Sequence, residues 1–265
     1  MNFYSLIFLI ISILIASILL LIYIIKYYGL GKDKYNPTAV WIRAFIYFSL
    51  CNIFSIAMGT SSTLLSQPIA RIEQVTNPIW LSLLIFCFVF IFIAYWILWA
   101  RMTLTFDRKF YIGMEIVFGF AWGLSMGQIL LSFFHLWNLT NIPPWAIYIC
   151  SFTSMGFYQY FIQDYFWDLY ISPEHDTPKS IKIKTFCCHI PNITICLLFL
   201  TLYENYLLFI IFQTFALIGT AIFQKFPAPW AKGEFNAPMS EPGIFGFPHA
   251  TGYIKEQNVN RNHKK

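Results

Sequence analysis

Long apolar runs separated by short polar segments are the main feature of the chain. A helix of about 20 apolar residues crosses the roughly 30 Å hydrocarbon core of a bilayer. The runs are continuous and lack the alternation of a barrel strand, and only helices or closed barrels satisfy their backbone groups in lipid. The pattern therefore predicts seven transmembrane helices, at Phe3–Ile25, Val40–Met58, Pro78–Ala100, Tyr111–Leu136, Pro144–Phe166, Thr185–Leu202 and Asn205–Phe223.

The last two predicted spans are separated only by Tyr203 and Glu204, which indicates a tight helical hairpin. A single broken segment is the alternative. After Phe223 the composition changes to proline, glycine and aromatic residues, and proline does not continue a helix. The prediction is an all-α, polytopic integral membrane protein, with a seven-helix bundle over residues 1–223 and an extended tail over residues 224–265. The aromatic side chains of the tail favour docking on the bundle.

The composition agrees with a membrane protein. The chain has 265 residues, of which 58% are hydrophobic and 11% charged, whereas soluble domains have about 45–50% apolar and about 25% charged residues. All but one of the 17 Lys and Arg residues fall on one side of the predicted topology, and Arg71 lies on the other. Because basic loops stay in the cytoplasm, we expect the N-terminus outside and the tail inside, in a cell membrane or an organelle inner membrane. Topology explains the net charge of +5, so nucleic acid is not an expected partner.

Three glycines repeat at intervals of four in the fourth predicted span: Gly119, Gly123 and Gly127. Such residues share one helix face and let a neighbouring helix approach closely. The spacing predicts tight packing inside the bundle. A dimer interface and a ligand pocket are the alternatives.

Ionisable side chains concentrate between residues 159 and 192, where the fifth span ends and the sixth begins. Asp164 and Asp168 are four residues apart and share one face of a helix. His189 lies about one turn inside the sixth span, and Glu115 about one turn inside the fourth. We expect these groups, with Glu174, His175 and Asp176 of the connecting loop, in a thin layer at the cytoplasmic interface.

Charged groups in a membrane are costly and indicate function. Carboxylate and imidazole ligands together suit Zn, Fe, Mn or Cu. The predicted metal ligands are Asp164, Asp168, Glu174, His175 and His189, and the predicted catalytic acid–base groups are Asp164, Asp168 and Glu115. In the alternative interpretation the two aspartates form salt bridges with basic residues at the headgroups, and His189 hydrogen-bonds a backbone carbonyl.

Three functions fit this pattern. The first is a membrane-embedded, metal-dependent enzyme acting on a lipid or another apolar small molecule. The second is a small-molecule or ion transporter in which Glu115 and Gln128 line a path. The third is a non-catalytic subunit of a membrane complex or a homo-oligomer. The enzyme is preferred because the acids and histidines lie where a substrate could enter from lipid and a product could leave to water. The last span has no lysine for a retinal Schiff base, and no glycine-rich phosphate loop for an ATP-driven pump occurs in the chain.

Overall fold

The computed structural model describes residues 37–99, 111–159, 183–224 and 228–230. Within these ranges all regular secondary structure is helical, as predicted. The first predicted span, most of the tail and the segment carrying Asp164, Asp168, Glu174 and His175 lie outside the described residues. The helices are α1 (Pro37–Ala57), α2 (Thr60–Ser66), α3 (Ile72–Val75), α4 (Pro78–Trp99), α5 (Ile112–Asn138), α6 (Pro144–Phe157), α7 (Thr185–Tyr203) and α8 (Tyr206–Gln224).

Four of these helices, α4, α5, α7 and α8, are long and apolar enough to cross a membrane. They coincide with the third, fourth, sixth and seventh predicted spans. Helices α1 and α2 form a pair bent by 75° that makes a fifth candidate if it is counted as one broken span. The described part of the chain is thus that of a membrane protein with four or five spans, and the count of seven remains a prediction.

Local sequence sets the start of α4. The side chain of Asn77 accepts hydrogen bonds from the backbone N–H groups of Ile79 and Trp80, at 2.9 Å and 3.3 Å. Pro78 occupies the first helical position, where its fixed φ suits a helix and its missing N–H costs nothing. The apolar run that follows this capped end is helical as far as Trp99.

The predicted glycine face of α5 packs against α8. A Cβ atom added at Gly119 would lie 2.6 Å from the Cα of Ile218, and one added at Gly127 would lie 3.3 Å from the Cα of Ile210. Residue numbers rise along α5 as they fall along α8, so the two helices are antiparallel. Close packing inside the bundle is confirmed, because α8 covers the face that a dimer would need.

Helices α7 and α8 form the predicted hairpin. Helix α7 ends at Tyr203, and Glu204 has the left-handed backbone (φ 54°) that reverses the chain. The rings of Phe199 and Phe212 lie 5.5 Å apart across the pair. Two antiparallel helices, and not one broken segment, follow from these contacts.

A network of amide groups ties this hairpin turn to the loop before α4. The side-chain Oδ1 of Asn205 accepts a hydrogen bond from Trp80 Nε1 at 3.0 Å. The Nδ2 of the same side chain donates to the Ile69 carbonyl at 3.1 Å and to Gln74 Oε1 at 3.0 Å. Gln74 in turn donates to the Tyr203 carbonyl at 3.0 Å. Each of these polar groups has a partner, which is what burial requires.

After α8 the chain returns to the start of α5. Ala228 is buried against Tyr111 and Met114, and the Trp230 ring lies 6.4 Å from that of Tyr111. These contacts agree with docking of the tail at this end of the bundle. The remaining tail residues lie outside the described part of the chain, and their docking stays a prediction.

Candidate functional site

The ends of α4 and α8 and the starts of α5 and α7 meet at one end of the bundle. Trp96 of α4 contacts Phe223 of α8, with ring centroids 6.2 Å apart. Trp99, the last residue of α4, contacts His189 near the start of α7 at 4.8 Å. The contact of the tail with Tyr111 brings the start of α5 to the same end. Glu115 and His189 therefore lie near one end of the bundle, as the sequence predicts.

Two π-helical segments face each other there. Phe92–Trp99 of α4 and Thr185–His189 of α7 both have the wider turn, which occurs often at functional sites. Pro191 gives a reason in α7, because its ring would clash with the carbonyl of residue 187 in a regular α-helix. The Cys188 thiol donates to the Ala94 carbonyl at 3.3 Å and joins the two segments.

The central contact of the site is a short hydrogen bond between Tyr95 and His189. Tyr95 Oη and His189 Nδ1 are 2.6 Å apart, and both residues are buried. The Trp99 ring stacks on Tyr95 at 5.7 Å and meets the imidazole edge-on. The contacts fix the plane of the imidazole. Its second nitrogen, Nε2, makes no hydrogen bond within the described part of the chain.

Polar side chains continue from this pair towards the middle of the bundle. Asn192, three residues after His189, donates to Gln213 Oε1 at 3.0 Å, and the Cys196 thiol donates to Asn192 Oδ1 at 3.2 Å. Gln213 is buried, and its Nε2 has no hydrogen-bond partner among the described residues. A buried donor of this kind is costly in lipid, so the bundle interior at this depth can accept a further polar group.

A buried cation lies at the outer side of the same site. Lys184 is fully buried, and its Nζ lies 5.1 Å from the centroid of the Trp99 ring. An ammonium group over an indole face is attracted to the ring quadrupole. One face or edge of Trp99 thus contacts each of the polar groups Lys184, Tyr95 and His189.

The predicted site residues have different outcomes. Glu115 is fully buried in the first turn of α5 and His189 is buried in α7, and their depth in the membrane and their roles stay predictions. The alternative in which His189 bonds a backbone carbonyl is wrong, because its partner is the Tyr95 hydroxyl. Asp164, Asp168, Glu174 and His175 lie outside the described residues, and their place in the site stays a prediction.

The predicted metal site receives no support within the described ranges. They contain no group of three or more His, Cys, Asp or Glu side chains able to hold a metal ion. A metal-bound histidine often donates its second ring nitrogen to a carboxylate. The partner of His189 Nδ1 is instead the Tyr95 hydroxyl. A metal would need ligands from the residues outside the described ranges.

Sequence reasoning missed Tyr95, Asn192 and Gln213. Tyr95 lies in an aromatic run, FIAYWILW, where nothing marks it as polar. Asn192 and Gln213 were visible as amides inside apolar runs. They lie on the two helices of the hairpin, 12 residues before Glu204 and 8 residues after Asn205, so the hairpin prediction places them on neighbouring helices without fixing their contact.

The pair can move a proton in either direction. If Tyr95 donates to Nδ1, then Nε2 carries a proton that it can release while Nδ1 takes the Tyr95 proton and leaves a tyrosinate. If Nδ1–H donates to Tyr95, then Nε2 is a base. No protein-family model, no curated protein and no solved structure matches this chain. The site is therefore interpreted from its own geometry: a buried imidazole with one nitrogen fixed and the other without a partner among the described residues.

Proposed function

We propose that this membrane protein binds a lipid or another apolar small molecule and acts on it with the His189–Tyr95 pair as its acid–base group. The observation that carries the proposal is the 2.6 Å bond between Tyr95 Oη and His189 Nδ1. The bond holds a titratable ring in one orientation inside membrane-length helices. An ionisable group is costly there, so its presence favours a function. An apolar ring at position 189 would be sufficient if the position only had to fill space.

The direction of the helices supports a contribution from the acids of the 160–182 segment. Helix α6 is antiparallel to α5, since Trp137 donates to Ser154 at 3.0 Å while Phe133 contacts Tyr158 at 5.7 Å. Helix α6 thus runs towards the end of the bundle at which α7 begins. We propose that Asp164 and Asp168 lie near His189 and that, with Glu115, they supply further acid–base groups.

Profiling of membrane lipids and apolar metabolites tests this proposal. Cells expressing the full chain are compared with cells expressing Tyr95→Phe or His189→Phe. We expect the chain to change the ratio of at least one pair of apolar compounds, and each variant to reduce that change about 100-fold, the lower range for loss of an acid–base group. Tyr148→Phe is the matched control, because it removes a hydroxyl that donates to the Thr194 carbonyl at 3.3 Å, away from the site.

Profiles that do not differ between the chain and its folded Tyr95→Phe and His189→Phe variants would remove the acid–base role. Fixed partner proteins recovered with both variants would then favour the subunit alternative.

A transporter is the second candidate, and the break between α1 and α2 favours it. Transporters build their substrate and ion sites at interrupted helices inside the membrane. The 75° bend at Gly59 would be such an interruption if α1 and α2 form one span. Gln128, one of the residues predicted to line a path, contacts Ser61 beside the bend at 3.3 Å.

A further inference from the structure

The break between α1 and α2 is a second polar region, away from the His189–Tyr95 pair. Helices α1 and α5 run parallel, since Trp41 contacts Phe118 while Asn52 bonds Ser125 further along both helices. The break lies beside Gln128, which is about 20 Å along α5 from Glu115 at 1.5 Å per residue. The charge and hydrogen bonds of the first site therefore do not explain it.

Three side-chain oxygens from three helices meet at the break. Ser61 Oγ of α2 lies 3.3 Å from Ser55 Oγ of α1 and 3.3 Å from Gln128 Oε1 of α5. An O–H···O bond normally spans about 2.5–3.0 Å, so both contacts are long. Both contacts can be hydrogen bonds at once if the Ser55 hydroxyl donates to Ser61 and the Ser61 hydroxyl donates to Gln128. The three oxygens are thus close together and joined only by long hydrogen bonds.

Polar contacts one turn away on the same two helices have ordinary lengths. Asn52 Nδ2 donates to Ser125 Oγ at 3.0 Å, and Ser125 Oγ donates to the Ala121 carbonyl at 2.7 Å. These neighbouring contacts are shorter than the two contacts of Ser61 at the break. Thr60, the first residue of α2, also has a buried hydroxyl oxygen without a hydrogen-bond partner among the described residues.

The spacing fits oxygens that share a cation. Oxygen ligands in Ca²⁺ sites lie about 2.3–2.6 Å from the ion. Two such oxygens that subtend a right angle at the ion are about 3.3–3.7 Å apart. Hydroxyl and amide oxygens carry no net charge, so they would leave a divalent ion uncompensated in a medium where that is costly. A monovalent ion is the better match. The carbonyl end of α1, which carries partial negative charge, adds to the attraction.

We propose that a monovalent cation of the size of Na⁺ binds at the α1–α2 break, between Ser55, Ser61 and Gln128. Broken membrane helices bind Na⁺ through such helix ends in transporters. The site does not require an acid–base role for His189. It gives the break a function that the packing of α1 against α5 does not supply.

Thermal unfolding of the purified full chain in detergent tests the site. NaCl, LiCl, KCl and choline chloride are compared at equal ionic strength. We expect NaCl to raise the unfolding midpoint above its value in choline chloride, and the increase to saturate as the Na⁺ concentration rises. Ser61→Ala should increase the half-saturating Na⁺ concentration at least tenfold, and Ser125→Ala, which removes an ordinary hydrogen bond between the same helices, should leave it unchanged.

Two further variants keep the result decisive if Ser61→Ala folds poorly. Gln128→Glu places a carboxylate at the same position and should lower the half-saturating Na⁺ concentration at least tenfold. His189→Phe should retain the Na⁺ response, which separates this site from the proposed enzyme. Equal midpoints in NaCl and choline chloride, or a Gln128→Glu variant with the original Na⁺ dependence, would overturn the proposal.

Discussion

Gly123 of α5 and Thr214 of α8 approach so closely that a Cβ atom on residue 123 would lie 2.4 Å from the Thr214 Cα. The neighbour is backbone and cannot rotate away, so Gly123→Ala must push the two helices apart. We expect a loss of about 1–3 kcal/mol in the free energy of unfolding, the usual cost of overpacking. Thermal unfolding in detergent measures it.

Gly156→Ala is the matched control, because a Cβ there would meet no atom within 4 Å. Alanine is about 0.8–1.0 kcal/mol more favourable than glycine inside a helix, so this variant should be slightly stabilised. Equal stabilities of the two variants would contradict the close approach of α5 and α8.

Asn205→Leu should destabilise the turn between α7 and α8. The change leaves Trp80 Nε1 without its acceptor and the Ile69 carbonyl without its donor. An orphaned buried group costs about 1–3 kcal/mol, so we expect a loss of at least about 2 kcal/mol. Ser66→Ala, which removes only an exposed bond to the Thr63 carbonyl, should change stability by less than about 0.5 kcal/mol.

A double variant shows whether the loss comes from the hydrogen bond. Trp80→Phe removes the donor that Asn205→Leu orphans, so the two changes together should cost less than the sum of the single changes. Additive costs would mean that Trp80 and Asn205 do not depend on each other.

Two adjacent cysteines should differ sharply in reactivity. Cys187 is exposed, whereas Cys188 is fully buried between α4 and α7 and donates to the Ala94 carbonyl. In detergent, N-ethylmaleimide should modify Cys187 at least tenfold faster than Cys188, as read by peptide mass spectrometry. Similar rates would show that α4 and α7 are not packed at their π-helical segments.

How well the sequence predicts a contact depends on how far apart its two residues lie along the chain. The glycine face and the hairpin follow from spacing along one or two neighbouring helices, and both are confirmed. The partner of His189 lies 94 residues away in α4, and its choice depends on how far a π-helical turn rotates Tyr95. No local pattern carries that rotation, so the tyrosine could not be chosen from an aromatic run.

The predicted site was also weighted towards charge. It uses acids and histidines, and Gln128 is the one neutral amide inside the spans that enters a predicted function. The described residues place the informative polar groups among those neutral side chains, at Asn192 and Gln213 and at the break beside Ser61. In lipid an amide or a hydroxyl must also find a partner, so its position is as informative as that of a charge.

Photo-crosslinking tests most directly whether an apolar molecule reaches the His189–Tyr95 pair. Cells expressing the full chain would be treated with a photoactivatable fatty acid and a photoactivatable sterol, and adducts mapped by peptide mass spectrometry. The account predicts adducts on buried residues of the site, at Tyr95, Trp99, Cys188 or His189. Adducts confined to the exposed face of α4, at Ile85, Phe86 and Val89, would contradict it.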